Sequence, residues 1–122
     1  MSLNLNVWRG TDTTLRIQVF ERNDTTPQTM TGWTLEFTVR NRADDSTADI
    51  TKTTLSGIAI SNADTSLGET TGANSVAVIT IADDDTTNLA IDNYECDLKR
   101  MDSASEAILA FWRFNLLQEV TR

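Results

Sequence analysis

The segment GWTLEFTVR, residues 32–40, decides the fold class, because apolar and polar residues alternate along it without interruption. In an extended chain the apolar residues would share one face: Trp33, Leu35, Phe37 and Val39. At about 2 kcal/mol for each buried side chain, that face would contribute about 8 kcal/mol of gross transfer free energy. The segment therefore predicts a strand with one face in a hydrophobic core and the other face outside it.

Similar runs recur along the chain, separated by turn-forming clusters of Asp, Asn, Ser, Thr and Gly. They lie at residues 4–8, 13–21, 50–55, 58–60, 76–81, 93–101 and 106–120. The run VAVITI is apolar on both faces, so we expect it at the centre of a sheet. These patterns predict an all-β fold, an antiparallel sandwich of two sheets with seven or eight strands, in a single domain over residues 1–122.

Two segments between the predicted strands differ in character. Residues 83–90 predict one short helical turn, with Asp83 to Asp85 near its start, where the helix dipole favours carboxylates. Residues 61–75 form the longest stretch without a strand or helix pattern, and we expect a mobile loop there.

The last run, residues 106–120, fits either a helix or a strand. Ser103 and Glu106 match a capping box, and the Ala, Leu and Glu content favours a helix. A helix would show Ile108, Phe111 and Trp112 on one side. A strand would show one apolar face made of Ile108, Ala110, Trp112, Phe114 and Leu116, and a second made of Leu109, Phe111 and Leu117. The aromatic residues and the β context favour the strand.

The charge and the cysteine content exclude several classes of function. The formal net charge of −8 argues against binding to nucleic acid or to an anionic membrane surface. It is typical of a soluble protein, or of one with a basic partner. No apolar run approaches the roughly 20 residues of a membrane span. The single cysteine, Cys96, permits no internal disulfide, which fits folding in a reducing cytoplasm.

Residue types give no sign of catalysis, of a cofactor or of a metal centre. The chain has no His, so that neither a Ser-His-Asp nor a Cys-His arrangement can form, and zinc loses its main ligand. Cys96 shares a predicted apolar face with Tyr94 and Leu98, which indicates a buried, inert thiol. The acidic run Asp83–Asp85, with Asp92 nearby, fits either a solvated helical turn or a calcium site. It lacks the spacing of the helix-loop-helix calcium motif.

The second apolar face of the last strand raises the question of what covers it. If one face of that strand fills the core, then Leu109, Phe111 and Leu117 need other cover. The N-terminal strand with Trp8 would provide part of it, or another subunit would. We therefore take Leu109, Phe111, Leu117 and Trp8 as candidate interface residues and predict that the protein self-associates.

The order of the strand and turn signals carries a family resemblance. Gly10-Thr11-Asp12-Thr13 precedes the first long strand, and the step Thr31-Gly32-Trp33 leads into the second. A turn at Thr86–Leu89 precedes the strand Tyr94–Leu98, and the chain finishes with Val120-Thr121-Arg122. From about residue 5 to residue 122 the chain resembles the immunoglobulin-like N-terminal domain of phage upper-baseplate proteins and related prophage tail proteins. It departs from that family at bulky Phe111-Trp112, where the family usually has a Gly.

This resemblance implies an immunoglobulin-like sandwich whose last segment is a strand. It also implies a structural assembly module of a phage or prophage tail or baseplate, not an enzyme, made in the bacterial cytoplasm and located in the virion. Its partners would be other tail or baseplate proteins and further copies of itself, with no nucleic acid and no membrane. The alternative is a carbohydrate- or ligand-binding sandwich module, which the lack of aromatic residues in loops 41–49 and 61–75 weakens.

Overall fold

The computed structural model of the chain describes residues 3–23, 25–42 and 47–118. In that part of the chain the backbone forms eight strands, one short α-helix and one 3₁₀ turn. The strands are β1 (Leu3–Trp8), β2 (Thr13–Gln18), β3 (Leu35–Arg40), β4 (Ile50–Thr53), β5 (Ile58–Ser61), β6 (Val76–Ile81), β7 (Asn93–Arg100) and β8 (Ala107–Leu117). The 3₁₀ turn is Thr65–Leu67, and the helix α1 is Asp83–Thr86. The predicted all-β composition, with a short helical turn after residue 82, is confirmed.

The strands form two sheets, an arrangement consistent with an all-β sandwich. The larger sheet has the order β1-β8-β7-β3-β4 and the smaller one the order β2-β6-β5. The predicted central position of VAVITI is confirmed, because β6 lies between β2 and β5. The expectation of a wholly antiparallel arrangement is wrong at one edge, where β1 and β8 run parallel. These two strands come from opposite ends of the chain, so no tight hairpin imposes an antiparallel direction on them.

One hydrophobic cluster lies between the two sheets. On β3 the side chains of Leu35, Phe37 and Val39 have no exposed surface, and they belong to the same cluster as Ala77 and Ile79 of the smaller sheet. The predicted core face of residues 32–40 is therefore confirmed. The strand itself begins at Leu35, and Trp33 packs at the margin of the cluster.

Trp33 is held at that margin by a cation. The guanidinium of Arg100 lies over the Trp33 ring, 3.8 Å from its centroid. Asp102 accepts hydrogen bonds from Arg100 Nε at 2.9 Å and from the Thr34 backbone N–H at 3.0 Å. Together these contacts tie the entry of β3 to the end of β7, and they lower the pKa of the Asp102 carboxyl, chiefly through the Thr34 hydrogen bond.

The last run is a strand, as the aromatic residues and the resemblance indicate, but a β-bulge shifts its alternation. Leu98 pairs with Ala110, whereas Lys99 pairs with Ile108, so that Leu109 is an extra residue in β8. As a result Leu109 packs against the core, whereas Ile108 is 56% exposed. The predicted faces of these two residues are therefore wrong, because a bulge moves every residue beyond it to the opposite face.

Residues 61–75 are not the structureless loop that the sequence predicts. The segment contains the 3₁₀ turn and is fixed on the outside of β2 by side-chain contacts. Arg16 forms an ion pair with Glu69 at 2.9 Å. The Gln18 side-chain amide donates to the Thr70 carbonyl at 2.6 Å and accepts from the Thr70 N–H at 2.9 Å. Polar side chains provide this order, so it leaves no apolar periodicity in the sequence of the segment.

The ion pair between Arg16 and Glu69 leads to a prediction about pH. The hydrogen bond from Arg16, with a second from the Asp64 N–H, lowers the pKa of the Glu69 carboxyl. A carboxylate whose pKa is lower in the folded state stabilises the protein above its unfolded pKa, about 4.3 for Glu, and loses that effect as the pH falls through the folded value. Urea unfolding should therefore show Glu69→Gln less stable than the wild type at pH 7, with a difference that shrinks below pH 4. The exposed Glu106→Gln variant is the control. If Glu69→Gln lowers the stability as much at pH 3 as at pH 7, the result would contradict this role.

Candidate protein interface

The five-stranded sheet has one face on the core and one face directed away from it. Because side chains alternate along each strand, the residues between those that fill the core point outward. We call this surface the outer face. It is made of Trp8 and Asn6 on β1, Ile108, Phe111, Arg113, Asn115 and Leu117 on β8, Asn93, Glu95, Asp97 and Lys99 on β7, Glu36, Thr38 and Arg40 on β3, and Thr51 and Thr53 on β4.

Large apolar side chains on the outer face remain in contact with solvent. Trp8 is 48% exposed, Phe111 is 44% exposed and Ile108 is 56% exposed. Trp8 lies directly opposite Leu117 in the parallel pairing of β1 with β8. The N-terminal strand thus covers Leu117 in part, while Phe111 and Ile108 have little cover from the described part of the chain.

Three of the four candidate interface residues lie on one face in this arrangement, and Trp8 and Leu117 are neighbours on it. Trp8, Phe111 and Leu117 lie on the outer face, whereas Leu109 packs against the core because of the bulge. Ile108 takes its place on the surface. Residue alternation alone cannot reveal this exchange, because the bulge depends on how β8 pairs with β7.

Charged residues form rows across the outer face. Arg40 of β3 is opposite Glu95 of β7, and Glu95 is opposite Arg113 of β8, so that the signs alternate across three strands. Glu36 and Lys99 form a second opposite-charge pair. Between the two rows, the Thr38 hydroxyl donates to Asp97 Oδ1 at 3.1 Å. Cross-strand pairs of opposite charge stabilise a sheet modestly, and here they also distribute both signs over the surface.

A shallow depression lies beside Phe111 on the outer face. Its volume is about 50 Å³, and it is lined by Thr38, Arg40, Glu95, Cys96, Asp97 and Phe111. Sites for small organic ligands usually measure roughly 300–1,000 Å³. This depression has room for a few water molecules, and it does not enclose a ligand.

The only cysteine contributes to the floor of the depression, but its thiol belongs to the core. Cys96 is buried and unpaired. Burial, with a smaller contribution from the charge of Asp97, raises the pKa of the thiol to about 12. The predicted burial of this residue is confirmed.

The buried thiol should react slowly with reagents that require a thiolate. A chromogenic disulfide reagent at pH 8 should label folded Cys96 at a negligible rate and should label it fully once denaturant unfolds the chain. Absorbance of the released thiol measures both rates. Rapid labelling of the native protein, with unchanged circular dichroism, would show that Cys96 is accessible.

The acidic run at α1 is engaged in contacts within the chain. Asp85 Oδ2 lies 2.7 Å from Lys52 Nζ and also accepts from the Ala82 N–H at 2.7 Å. Asp83 accepts from the Asp84 N–H at 2.8 Å, while Asp92 binds the Asn93 N–H and the Asn41 amide. Across residues 3–23, 25–42 and 47–118, no three His, Cys, Asp or Glu side chains are grouped to hold a metal ion. These contacts favour the solvated turn over the calcium site.

Two comparisons with known proteins found no match for this chain. No model of a known protein family matches it, and no curated protein matches it either. In the part of the chain that the structure describes, no helix is long and apolar enough to cross a membrane. The fold defines the class, a mostly β protein of two sheets, and the outer face is the feature from which a function can be argued.

Proposed function

We propose that this chain is a structural assembly module of a phage or prophage tail or baseplate, acting through protein–protein contacts and not through catalysis. The observation that carries the proposal is the exposure of Trp8, Phe111 and Ile108 on one face of a single sheet. Large apolar side chains exposed on one face of a sheet favour an interaction surface, and aromatic residues are enriched in the buried centres of interfaces.

The strand order supports an immunoglobulin-like sandwich, which is the fold that the resemblance implies. In such domains strands B, E and D form one sheet, and G, F and C form the other, with an added strand beside C in the variable type. The order β2-β6-β5 corresponds to the first sheet, and the order β8-β7-β3-β4 corresponds to the second. In this correspondence β3, the strand within residues 32–40, takes the position of strand C.

Two of the motifs that carry the resemblance contact each other. The Gly10 N–H donates to Thr86 Oγ1 at 2.9 Å, and Thr86 is fully buried. The Asp83 N–H, at the start of the same helical turn, donates to Asp12 Oδ1 at 2.8 Å. The residues that carry the resemblance at positions 10–13 and 86–89 therefore have a shared structural role, which supports the proposal. The matching end at residues 120–122 lies outside the described residues.

The proposal is tested on intact particles. Phage or prophage particles from the bacterium that encodes this chain should contain it in the tail fraction when density-gradient fractions are examined by mass spectrometry. Gold-labelled antibodies should place it at the end of the tail in electron micrographs. Particles that are complete and infectious without the chain would overturn the proposed role.

A carbohydrate-binding module remains the second candidate, because the depression beside Phe111 combines an aromatic ring with charged groups. Its lining includes Arg40, Glu95 and Asp97, which are residue types that bind sugar hydroxyls. Its volume of about 50 Å³ is small for that role. Saturable binding on a glycan array, lost in Phe111→Ala, would favour this candidate over the assembly module.

A further inference from the structure

The outer face carries no net charge, although the chain as a whole is strongly acidic. Its six charged side chains are three cations and three anions: Arg40, Lys99, Arg113, Glu36, Glu95 and Asp97. The complete chain has a formal charge of −8, so its excess negative charge lies elsewhere. Because the Debye length is about 8 Å at physiological ionic strength, charges on distant surfaces contribute little across a contact. Two copies of this chain that meet through the outer face therefore meet without a net charge repulsion across the contact.

We propose that the outer face docks against the same face of a second copy of this chain, forming a two-fold symmetric dimer. The inference rests on the proposed role as an assembly module and names one partner for its surface. A second copy fits better than a basic partner, because a basic protein would be attracted to the acidic surfaces and not to this neutral one. Isologous contact requires a self-complementary surface, and alternating charges with apolar groups at intervals provide one.

The row of alternating charges defines how the two copies are aligned. A two-fold axis that runs along the strands between β7 and β8 sets Glu95 of each copy against the partner's Arg113. The same axis places the two Phe111 rings side by side, because Phe111 lies on β8 next to the axis. The two Phe111 rings then form the apolar part of the contact, each beside the partner's Asp97, and the pairs of Glu95 with Arg113 fix the alignment.

The size of the outer face sets the expected strength of the dimer. The two-fold axis between β7 and β8 leaves β4 of each copy without a facing strand, so four strands of each copy are in contact. With strands about 4.8 Å apart and a rise of about 3.4 Å per residue, four strands of six residues span roughly 19 Å by 20 Å. The flat footprint of roughly 400 Å² per copy lies below the standard size of specific interfaces. We therefore expect association in the micromolar range, and not an obligate dimer.

Sedimentation velocity over a range of concentrations measures this association. At high micromolar concentration the wild type should approach twice the 13.5 kDa of one chain. Phe111→Glu should weaken association at least tenfold, whereas Leu55→Glu should behave as the wild type does, because Leu55 is exposed but lies outside the outer face. The proposal would be overturned if the wild type stays at the mass of one chain, or if both variants associate equally weakly.

Charge reversal tests the alignment. Alone, Glu95→Arg sets two arginines together and Arg113→Glu sets two glutamates together, so each variant should associate at least tenfold more weakly than the wild type. A mixture of the two variants restores both opposite-charge contacts, and a mixed dimer should form. Circular dichroism verifies that each variant is folded. A mixture that stays monomeric while the wild type dimerises would refute this alignment.

The two proposals can fail separately. A monomeric wild type that is nevertheless found in tail particles would remove the dimer and leave the tail role in place. If the protein dimerises and responds to these variants as predicted but is absent from the particles, the dimer stands and the tail role is removed.

Discussion

Replacing Phe37 by Ala is expected to lower the free energy of unfolding by about 3–5 kcal/mol, the usual cost of deleting a buried aromatic ring. Phe37 lies in β3 between β4 and β7 and has no exposed surface. Its ring centroid is 6.4 Å from that of Trp112 on β8. The deletion therefore leaves a cavity where the strands of the larger sheet meet the core. Since proteins have only about 5–15 kcal/mol of stability, a fifth or more would be lost.

Urea unfolding followed by far-ultraviolet circular dichroism measures this loss. Phe111→Ala is the matched control, because it deletes the same ring from the 44% exposed position on the outer face. At concentrations too low for dimerisation, Phe111→Ala should cost less than about 1 kcal/mol, as is usual for surface substitutions. Equal losses in the two variants would mean that the two faces of the larger sheet do not differ in burial.

Leu35 and Leu55 give a second matched pair with a large expected difference. Leu35 has no exposed surface at the start of β3, whereas Leu55 is 98% exposed in the turn between β4 and β5. Leu35→Ala should cost about 2–5 kcal/mol, and Leu55→Ala should stay within about 0.5 kcal/mol of the wild type. Both substitutions delete the same atoms, so the difference between their effects on the free energy of unfolding reports on burial.

Thermal and urea unfolding of the two leucine variants provide the comparison. The slope of the free energy against urea should be the same in both variants if neither changes the surface exposed on unfolding. A loss of stability in Leu55→Ala comparable to that in Leu35→Ala would show that the turn after β4 is packed and not exposed.

The sequence is sufficient to predict the larger part of the fold, because burial on one face leaves a local signature. The alternation in residues 32–40 predicts the core face of β3, and the alternation of Tyr94, Cys96 and Leu98 predicts that of β7. The aromatic residues of β8 also favour a strand there, although a helix was the alternative. Each of these features depends on neighbours along the chain.

The parts that the sequence did not predict depend on contacts between distant residues. The bulge opposite Lys99 arises from how β8 pairs with β7, and it exchanges the faces of Ile108 and Leu109. The parallel pairing of β1 with β8 joins the two ends of the chain. The order of residues 61–75 depends on hydrogen bonds between polar groups of the loop and those of β2, as between Thr70 and Gln18.

The candidate interface was predicted in the same partial way. Trp8, Phe111 and Leu117 could be chosen from residue type and alternation, since apolar residues on both faces of one strand need two kinds of cover. The charge pattern of the outer face could not be predicted from the sequence, because Arg40 and Glu95 are far apart along the chain. They become neighbours only when β3 pairs with β7.

Hydroxyl-radical footprinting at two protein concentrations tests most directly whether β8 has one face in the core and one face for docking. Labelling is read residue by residue in mass spectra. Phe114 should be protected at both concentrations, because it has no exposed surface. Phe111 should be labelled in dilute protein and protected in concentrated protein. Equal labelling of Phe111 at both concentrations, or labelling of Phe114 in the dilute sample, would contradict the account.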